Sequence, residues 1–322
     1  MDNHRSLGRS PITISPIGLG CWQFSEGRGL AGRYWPALPQ ETANQIVAAS
    51  LDGGINWFDT AEVYGGGRSE AALASALTAA GRKNGDVVVA TKWWPLWRTA
   101  GNIKATIGAR LANLAPFSID LYQIHQPFAL ASTAAQMHAM ADLVEDQRIR
   151  TIGVSNFSAA KMRAAHQVLA TRGIHLVSNQ VRYSLLGRQI EKNGVLKTAQ
   201  ELGITVIAYS PLAQGILSGK YHRDPEMIRS RPGPRKWMTA FRRSGLERSR
   251  ELVTAIEEIA NAHSATPSQV ALNWLANFHG DTVVVIPGAT SVAQAKENAG
   301  AMSSRLSDAE MKRLDELSQP FC

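Results

Sequence analysis

Cysteine is nearly absent. Only Cys21 and Cys322 occur in 322 residues, which excludes a disulfide framework and suits a reducing compartment. No apolar run approaches the roughly 20 residues that a membrane helix needs. The first six residues include Asp2, Asn3, His4 and Arg5 in place of an apolar signal core, so neither secretion nor membrane insertion is expected and a cytoplasmic protein is. No linker-like stretch divides the chain, and one domain over residues 1–322 is the expectation. The dinucleotide fingerprint G-x-G-x-x-G after a strand is also missing; Gly65-Gly66-Gly67 lacks its spacing and reads as a turn. Strand-end metal ligands are too few for a metal-dependent hydrolase, since only Asp59 and His125 qualify, and no metal is expected.

What is present is a repeat of alternating elements. Eight short β-type runs end near Gly20, Asp59, Lys92, His125, Asn156, Gln180, Tyr209 and Pro287. Helical spacing of apolar residues falls between them, at 41–52, 69–79, 103–114, 132–145, 158–170, 193–202, 247–278 and 291–299. Strands alternating with helices argue for a parallel sheet covered by helices, and eight repeats close naturally into a (β/α)₈ TIM barrel. Ser69 and Ser158 are placed to cap helices, Gly53-Gly54 and Gly203 to end them. Ser307 and Glu310 form a possible capping box on a last helix. Residues 5–14 read as an N-terminal β-hairpin that could plug the barrel bottom, and residues 210–246 as a long loop after strand 7.

Asp59, Lys92 and His125 each close a run, and the two intervals are both 33 residues, about one strand-plus-helix unit. Parallel strands deliver their last residues to one mouth, so an acid, an amine and an imidazole meet there, with Tyr64 in reach on the glycine-rich turn. Each alone has a bland explanation as a cap, a turn aromatic or a structural histidine. Together at one mouth they form a catalytic constellation.

Charge is uneven. Residues 223–250 hold nine Arg or Lys against Asp224, Glu226 and Glu247, most of the net +8. Charge runs are commonly solvated surface, and the weak interleaving of Trp237 and Phe241 argues against a nucleic-acid face. Placed over a barrel mouth, Arg229, Arg231, Arg235 and Lys236 would attract an anionic ligand such as dinucleotide phosphates.

The ordered fragments Gly18-Leu-Gly-Cys-Trp22, Gly54-Ile-Asn-Trp-Phe-Asp-Thr-Ala61, Tyr64-Gly65, Ser69-Glu70, Thr91-Lys92, Asp120-Leu-Tyr-Gln-Ile-His125, Ile152-Gly-Val-Ser-Asn-Phe157, Asn179-Gln180, Ala208-Tyr-Ser-Pro-Leu212, Gly219-Lys-Tyr221, Ile286-Pro-Gly-Ala289 and Glu297-Asn298 resemble the aldo-keto reductases, from about Ile12 to Leu317. The resemblance implies an NAD(P)H-dependent oxidoreductase that reduces a small carbonyl compound, with Asp59, Tyr64, Lys92 and His125 as its catalytic tetrad. Tyr64 would be the proton donor, and His125 would bond to the carbonyl oxygen. Lys92, charged and oriented by Asp59, would lower the Tyr64 pKa, since an ammonium about 4 Å away favours tyrosinate by up to roughly 4 kcal/mol at an effective dielectric of 20.

By the same resemblance, Gly20, Cys21, Trp22 and Asp59 border the cofactor, and Ser155, Asn156 and Gln180 meet the nicotinamide carboxamide. Tyr209 would stack on the nicotinamide ring. Ser210, Pro211, Leu212, Gln214 and Gly215 would follow the pyrophosphate, and Gly288, Thr290, Ser291, Gln294, Glu297 and Asn298 would surround the adenosine end. Relatives specific for NADPH often carry basic residues where this chain has Ala289, Thr290 and Gln294; grip on a 2′-phosphate would then fall to Thr290, Ser291, the helix N-terminus or the Arg-rich loop, and NADPH remains the expected cofactor with NADH possible. Trp22, Trp93, Trp94 and Trp97 follow strand ends and are expected to line an aromatic pocket. A second reading is a cofactor-binding regulatory subunit with slow turnover, like potassium-channel β-subunits, which turnover with NADPH and aldehydes would separate from an enzyme. The sequence leaves the oligomeric state open.

Overall fold

The computed structural model describes residues 4–27, 37–229 and 238–322. Of the basic segment, Arg231, Arg235, Lys236 and Trp237 lie outside the described residues.

A short antiparallel hairpin comes first, β1 (Arg5–Ser6) and β2 (Thr13–Ile14). Eight parallel strands follow: β3 (Leu19–Gly20), β4 (Trp57–Asp59), β5 (Val88–Trp93), β6 (Leu121–Ile124), β7 (Thr151–Ser155), β8 (Leu176–Arg182), β9 (Thr205–Tyr209) and β10 (Val283–Val285). They are hydrogen-bonded in chain order, and parallel bridges Ile17–Val285 and Gly20–Gly288 join the first to the last. The sheet therefore curls shut into a TIM-type barrel with helices outside.

Alternation along the strands builds two cores. Val89, Tyr122, Leu176, Val206, Ala208, Val283 and Val285 face the helices in the outer core. Their neighbours Ala90, Leu121, Val177, Ile207 and Val284, with Trp57, fill the inside together with Leu7, Ile12 and Ile14 of the hairpin. The hairpin thus plugs the barrel where its strands begin. Gly18 is required there, since a Cβ would lie 2.3 Å from the Trp57 ring. Arg5 ties the plug to the far end of the chain, donating to the carbonyls of Ala276 and Val283 and to Asn277 Oδ1.

The barrel helices include α1 (Gln40–Asp52), α2 (Arg68–Ala79), α3 (Gly101–Leu114), α4 (Thr133–Glu145), α5 (Ala159–Ala170) and α6 (Val195–Leu202). Ser158 caps α5, and Gly203 ends α6 in the left-handed region at φ 65°. Ser69 departs from its expected role. The cap of α2 is left-handed Gly67, and Ser69 lies inside the helix, accepting from Thr60 Oγ1 and donating to the Cys21 carbonyl. The glycine triplet is a turn, with φ of 68°, 67° and 93°.

The helical stretch read as 247–278 is two helices, α7 (Arg243–Ala262) and α8 (Pro267–Asn277). A proline lacks the N–H a helix interior needs but suits a first turn, and Thr266 with Gln269 forms a full capping box around it. Helix α9 (Val292–Gly300) starts at Ser291, and α10 (Asp308–Ser318) starts at the capping box of Ser307 and Glu310.

Candidate active site

On four of the strands the inward face is apolar first and turns polar two residues further on. Trp57 is followed by Asp59, Ala90 by Lys92, Leu121 by Gln123 and His125, and Ile207 by Tyr209. Asp59 is registered with Ala90 and Ala90 with Leu121. Each polar residue therefore stands one inward-facing step beyond its registered neighbour, a stagger that tilted barrel strands accommodate.

At the base of the mouth, Asp59 is 2% exposed and Lys92 is 0% exposed. Lys92 Nζ donates to Asp59 Oδ1 and to the carbonyl of Thr60 at 2.9 Å. Asp59 Oδ2 accepts from Gln123 Nε2 at 3.0 Å and Gln180 Nε2 at 2.9 Å. A carboxylate with a cation and two amide donors is fully satisfied, which is what makes its burial tolerable. Lys92 sits behind it with its Nζ 5.3 Å from the Tyr64 ring centre.

Four rings stand in a row above this pair. Trp22 stacks on Tyr64 at 5.9 Å, Tyr64 meets His125 edge-on at 5.7 Å, and His125 meets Trp94 edge-on at 5.2 Å. Burial and the Asp59 carboxylate push the Tyr64 phenol well above its ordinary pKa, so the resting tyrosine is a neutral acid. This corrects the expectation of a Tyr64 pKa lowered by Lys92: with Asp59 against the ammonium, desolvation is the larger effect. Burial and the Lys92 charge hold the His125 imidazolium well below its usual range, leaving a neutral ring with an unpartnered Nδ1.

From these rings a cleft of about 1060 Å³ runs across the barrel mouth. Gly20, Cys21, Trp22, Ser155, Asn156, Gln180 and Tyr209 line it near the tetrad. Asn156 Nδ2 donates to Ser155 Oγ, and the Tyr209 hydroxyl donates to Asn156 Oδ1 at 3.1 Å. Ser210, Pro211, Leu212, Gln214 and Gly215 continue the wall, and Gly288, Thr290, Gln294, Glu297 and Asn298 close its far end. Ser291 is not on the wall; its side chain accepts from Gln294 N and caps α9.

Three non-glycine residues of this wall are held in the left-handed region: Asn156, Ser210 and Gln214 have φ of 60°, 51° and 58°. Side chains rarely adopt that region, and such residues cluster where a site is held in shape.

Two of the expected pocket tryptophans lie elsewhere. Trp93 is fully buried in the outer core, its indole N–H bonded to Asn102 Oδ1 at 3.0 Å, because alternation along β5 turns it away from Lys92. Trp97 is 78% exposed. Trp22 and Trp94 do line the cleft.

Several residues of the site escaped the sequence reading. Gln123 could have been found, since it lies two residues before His125 on one strand face. Thr266, Pro267 and Ser268, at the start of α8, join the wall as do Arg182 and Lys220. The Thr-Pro-Ser-Gln capping pattern was the available signal for α8; Arg182 carried none. Arg223, the first cation of the basic segment, is on the wall too. Among the described residues no group of three His, Cys, Asp or Glu side chains is placed to hold a metal ion, and no helix is long and apolar enough to cross a membrane.

Residues 16–319 match the model of the Aldo/keto reductase family. The chain belongs to that family and is an NAD(P)H-dependent reductase. It is 39% identical over 310 residues to an oxidoreductase of Mycobacterium tuberculosis, covering 96% of this chain and 90% of that one. It is 32% identical over 328 residues to an NADP(+) aldo-keto reductase of Schizosaccharomyces pombe, covering 97% and 90%. Among solved structures, the thermostable aldo-keto reductase Tm1743, in complex with the inhibitor epalrestat, superposes with a TM-score of 0.75 at 30% identity, covering 98% of this chain and 99% of that one.

Proposed function

We propose that this protein reduces the carbonyl of a small aldehyde or ketone with NADPH, Tyr64 supplying the proton. The single observation that carries the reading is Tyr64 edge-on to His125 at 5.7 Å, with the Lys92–Asp59 pair behind it, at the mouth of a cleft of about 1060 Å³.

The wall fits such a cofactor. Ser155, Asn156 and Gln180 offer amide and hydroxyl groups for a carboxamide, and Tyr209 offers an aromatic face for a flat ring. The N-termini of α8 and α9 bring positive dipole ends to this wall, where the phosphates would lie. Lys220 and Arg223 add positive charge on the same wall. The NADP(+) name of the S. pombe relative favours NADPH over NADH. When bound, the dinucleotide supplies the hydride.

The protein's own part is to hold the carbonyl and protonate it. The neutral imidazole of His125 presents an N–H toward the carbonyl oxygen without placing a second positive charge beside Lys92. As negative charge develops on that oxygen, it becomes a stronger base than phenolate, and Tyr64 gives up its proton. The Lys92 ammonium then faces the nascent phenolate and stabilises it, while Asp59 holds the ammonium in place. Lys92 thus matters more after proton transfer than before it.

Purified protein mixed with NADPH and a panel of aldehydes and ketones tests the proposal. Loss of NADPH absorbance that depends on the carbonyl is expected. No turnover with any member, at saturating NADPH, would discard it.

A further inference from the structure

Beside the site lies a buried ionic chain with no part in the scheme above: Arg98, Glu62, Arg110 and Glu70. Glu62 is two residues before Tyr64 on the turn between β4 and α2, and its side chain is 5% exposed. Its Oε1 accepts from the backbone N–H of Trp94 at 2.6 Å and from the Arg98 guanidinium. Its Oε2 accepts from Arg110 Nη1 at 2.5 Å. Arg110 Nε continues to Glu70 Oε2 at 2.7 Å, and Glu70 Oε1 accepts from the hydroxyl of Thr91, the residue before Lys92.

One carboxylate therefore joins the Tyr64 turn, the loop after Lys92 and helix α3. Charge-assisted bonds in a low-dielectric setting are short and directional, so such a joint is stiff. What it holds is Trp94, the last of the four rings, which stands edge-on to both His125 and Phe128, the latter at 6.1 Å and 88°. The Arg98 carbonyl also accepts from Leu130 N at 3.1 Å, tying the loop of Phe128 to the same assembly. Leu96, Phe128 and Leu130 are 42%, 46% and 63% exposed and form an apolar rim next to Trp94.

We infer that Glu62 is a positioning residue that fixes Trp94 as a rigid wall, and that this wall selects flat aromatic carbonyl compounds over small aliphatic ones. The inference rests on the proposed reductase function and adds its substrate class. Rigidity is the reason for the selection. A planar ring gains most from a fixed aromatic face met edge-on or offset, and a wall already in place loses no freedom on binding. A short aliphatic carbonyl reaches Tyr64 and His125 without touching Trp94.

A double-mutant cycle reads the coupling directly. Binding of 2-naphthamide, a flat carbonyl compound that is not reduced, is measured by calorimetry on NADPH-loaded protein. Glu62→Gln, which keeps size but places an amide N–H against one of its donors, is expected to weaken binding about tenfold. Trp94→Ala is expected to do the same, and the double variant to be no weaker than Trp94→Ala alone. NADPH affinity stays within twofold throughout. Should Glu62→Gln fail to fold, Arg98→Gln loosens the same carboxylate from the solvent side, and a loss of about threefold that vanishes without Trp94 is expected.

Additive losses, unchanged binding in Glu62→Gln, or a parent that does not bind the amide would each overturn the inference. Turnover of 2-naphthaldehyde against propanal is followed in parallel, and Glu62→Gln is expected to raise KM for the former alone. A parent that shows the binding cycle yet oxidises no NADPH with either aldehyde counts against the proposed function and for the wall.

Discussion

The two ends of the barrel are built on opposite terms. Where the strands begin, Leu7, Ile12 and Ile14 seal the interior against Trp57, Ala90 and Val284, Arg5 bonds to two carbonyls, and the Trp57 N–H donates to Ser15 O at 2.9 Å. Where the strands end, the same inward face carries a buried ion pair and an imidazole with an unpartnered Nδ1, and the loops that follow hold left-handed residues at Asn156, Ser210 and Gln214. One end is spent on stability and the other on chemistry. A barrel allows this because a residue's height along the strand, more than its place in the sequence, decides which end it serves.

The largest effect that should separate the ends is Tyr64→Phe. Only the phenolic hydroxyl is lost, so carbonyl reduction should fall about a hundredfold to ten-thousandfold, with melting temperature and NADPH affinity nearly unchanged. Turnover within tenfold of the parent would remove Tyr64 as the proton donor. The mirror-image change is Ile14→Ala in the plug. It should cost roughly 2–5 kcal/mol of stability in a denaturant titration and leave kcat per folded molecule unaltered; a matching loss of kcat would show that the ends are not separable.

A smaller effect is a matter of sign. The His125 pKa is lowered in the folded protein, so the unfolded chain binds its proton first as pH falls below about 6.5. Stability present above that pH should therefore drain away below it, by at most about 1.4 kcal/mol per pH unit from this one group. His125→Gln should flatten that slope in paired melts at pH 7 and pH 5, and parallel curves for the two proteins would contradict the neutral histidine. The smallest effect should come from Gln214→Gly. Glycine accepts φ 58°, ψ 26° without a Cβ penalty, so stability should rise by about 1 kcal/mol while NADPH affinity weakens a few-fold. A drop in stability would mean the strain is not stored there.

Much of this was legible in the residues. Short Val- and Ile-rich runs between helical stretches marked the strands, and the shared interval of Asp59, Lys92 and His125 marked the mouth. The break at Thr266-Pro267 was missed because apolar spacing runs on through both helices, so the pattern looked continuous while the backbone was not. Trp93 and Trp94 show a sharper limit. Adjacent tryptophans on one strand end face opposite sides, and only the phase of the strand, fixed by Ala90 and Lys92 facing inward, says which one enters the cleft. The Tyr64 pKa was misjudged for a different reason: pair spacing reveals a nearby charge but not the depth of burial, and burial dominates here. The Glu62 chain left no mark at all, since its members at 62, 70, 98 and 110 have no common period.

The Arg5 contact with Val283 carries a consequence for how the protein is made. Those residues are 278 positions apart, and at synthesis rates of about 5–20 residues per second the second emerges roughly 15–55 s after the first. Through that interval the plug residues Leu7, Ile12 and Ile14 have no closed barrel to enter. The last strand therefore closes the barrel around a hairpin that was made long before it.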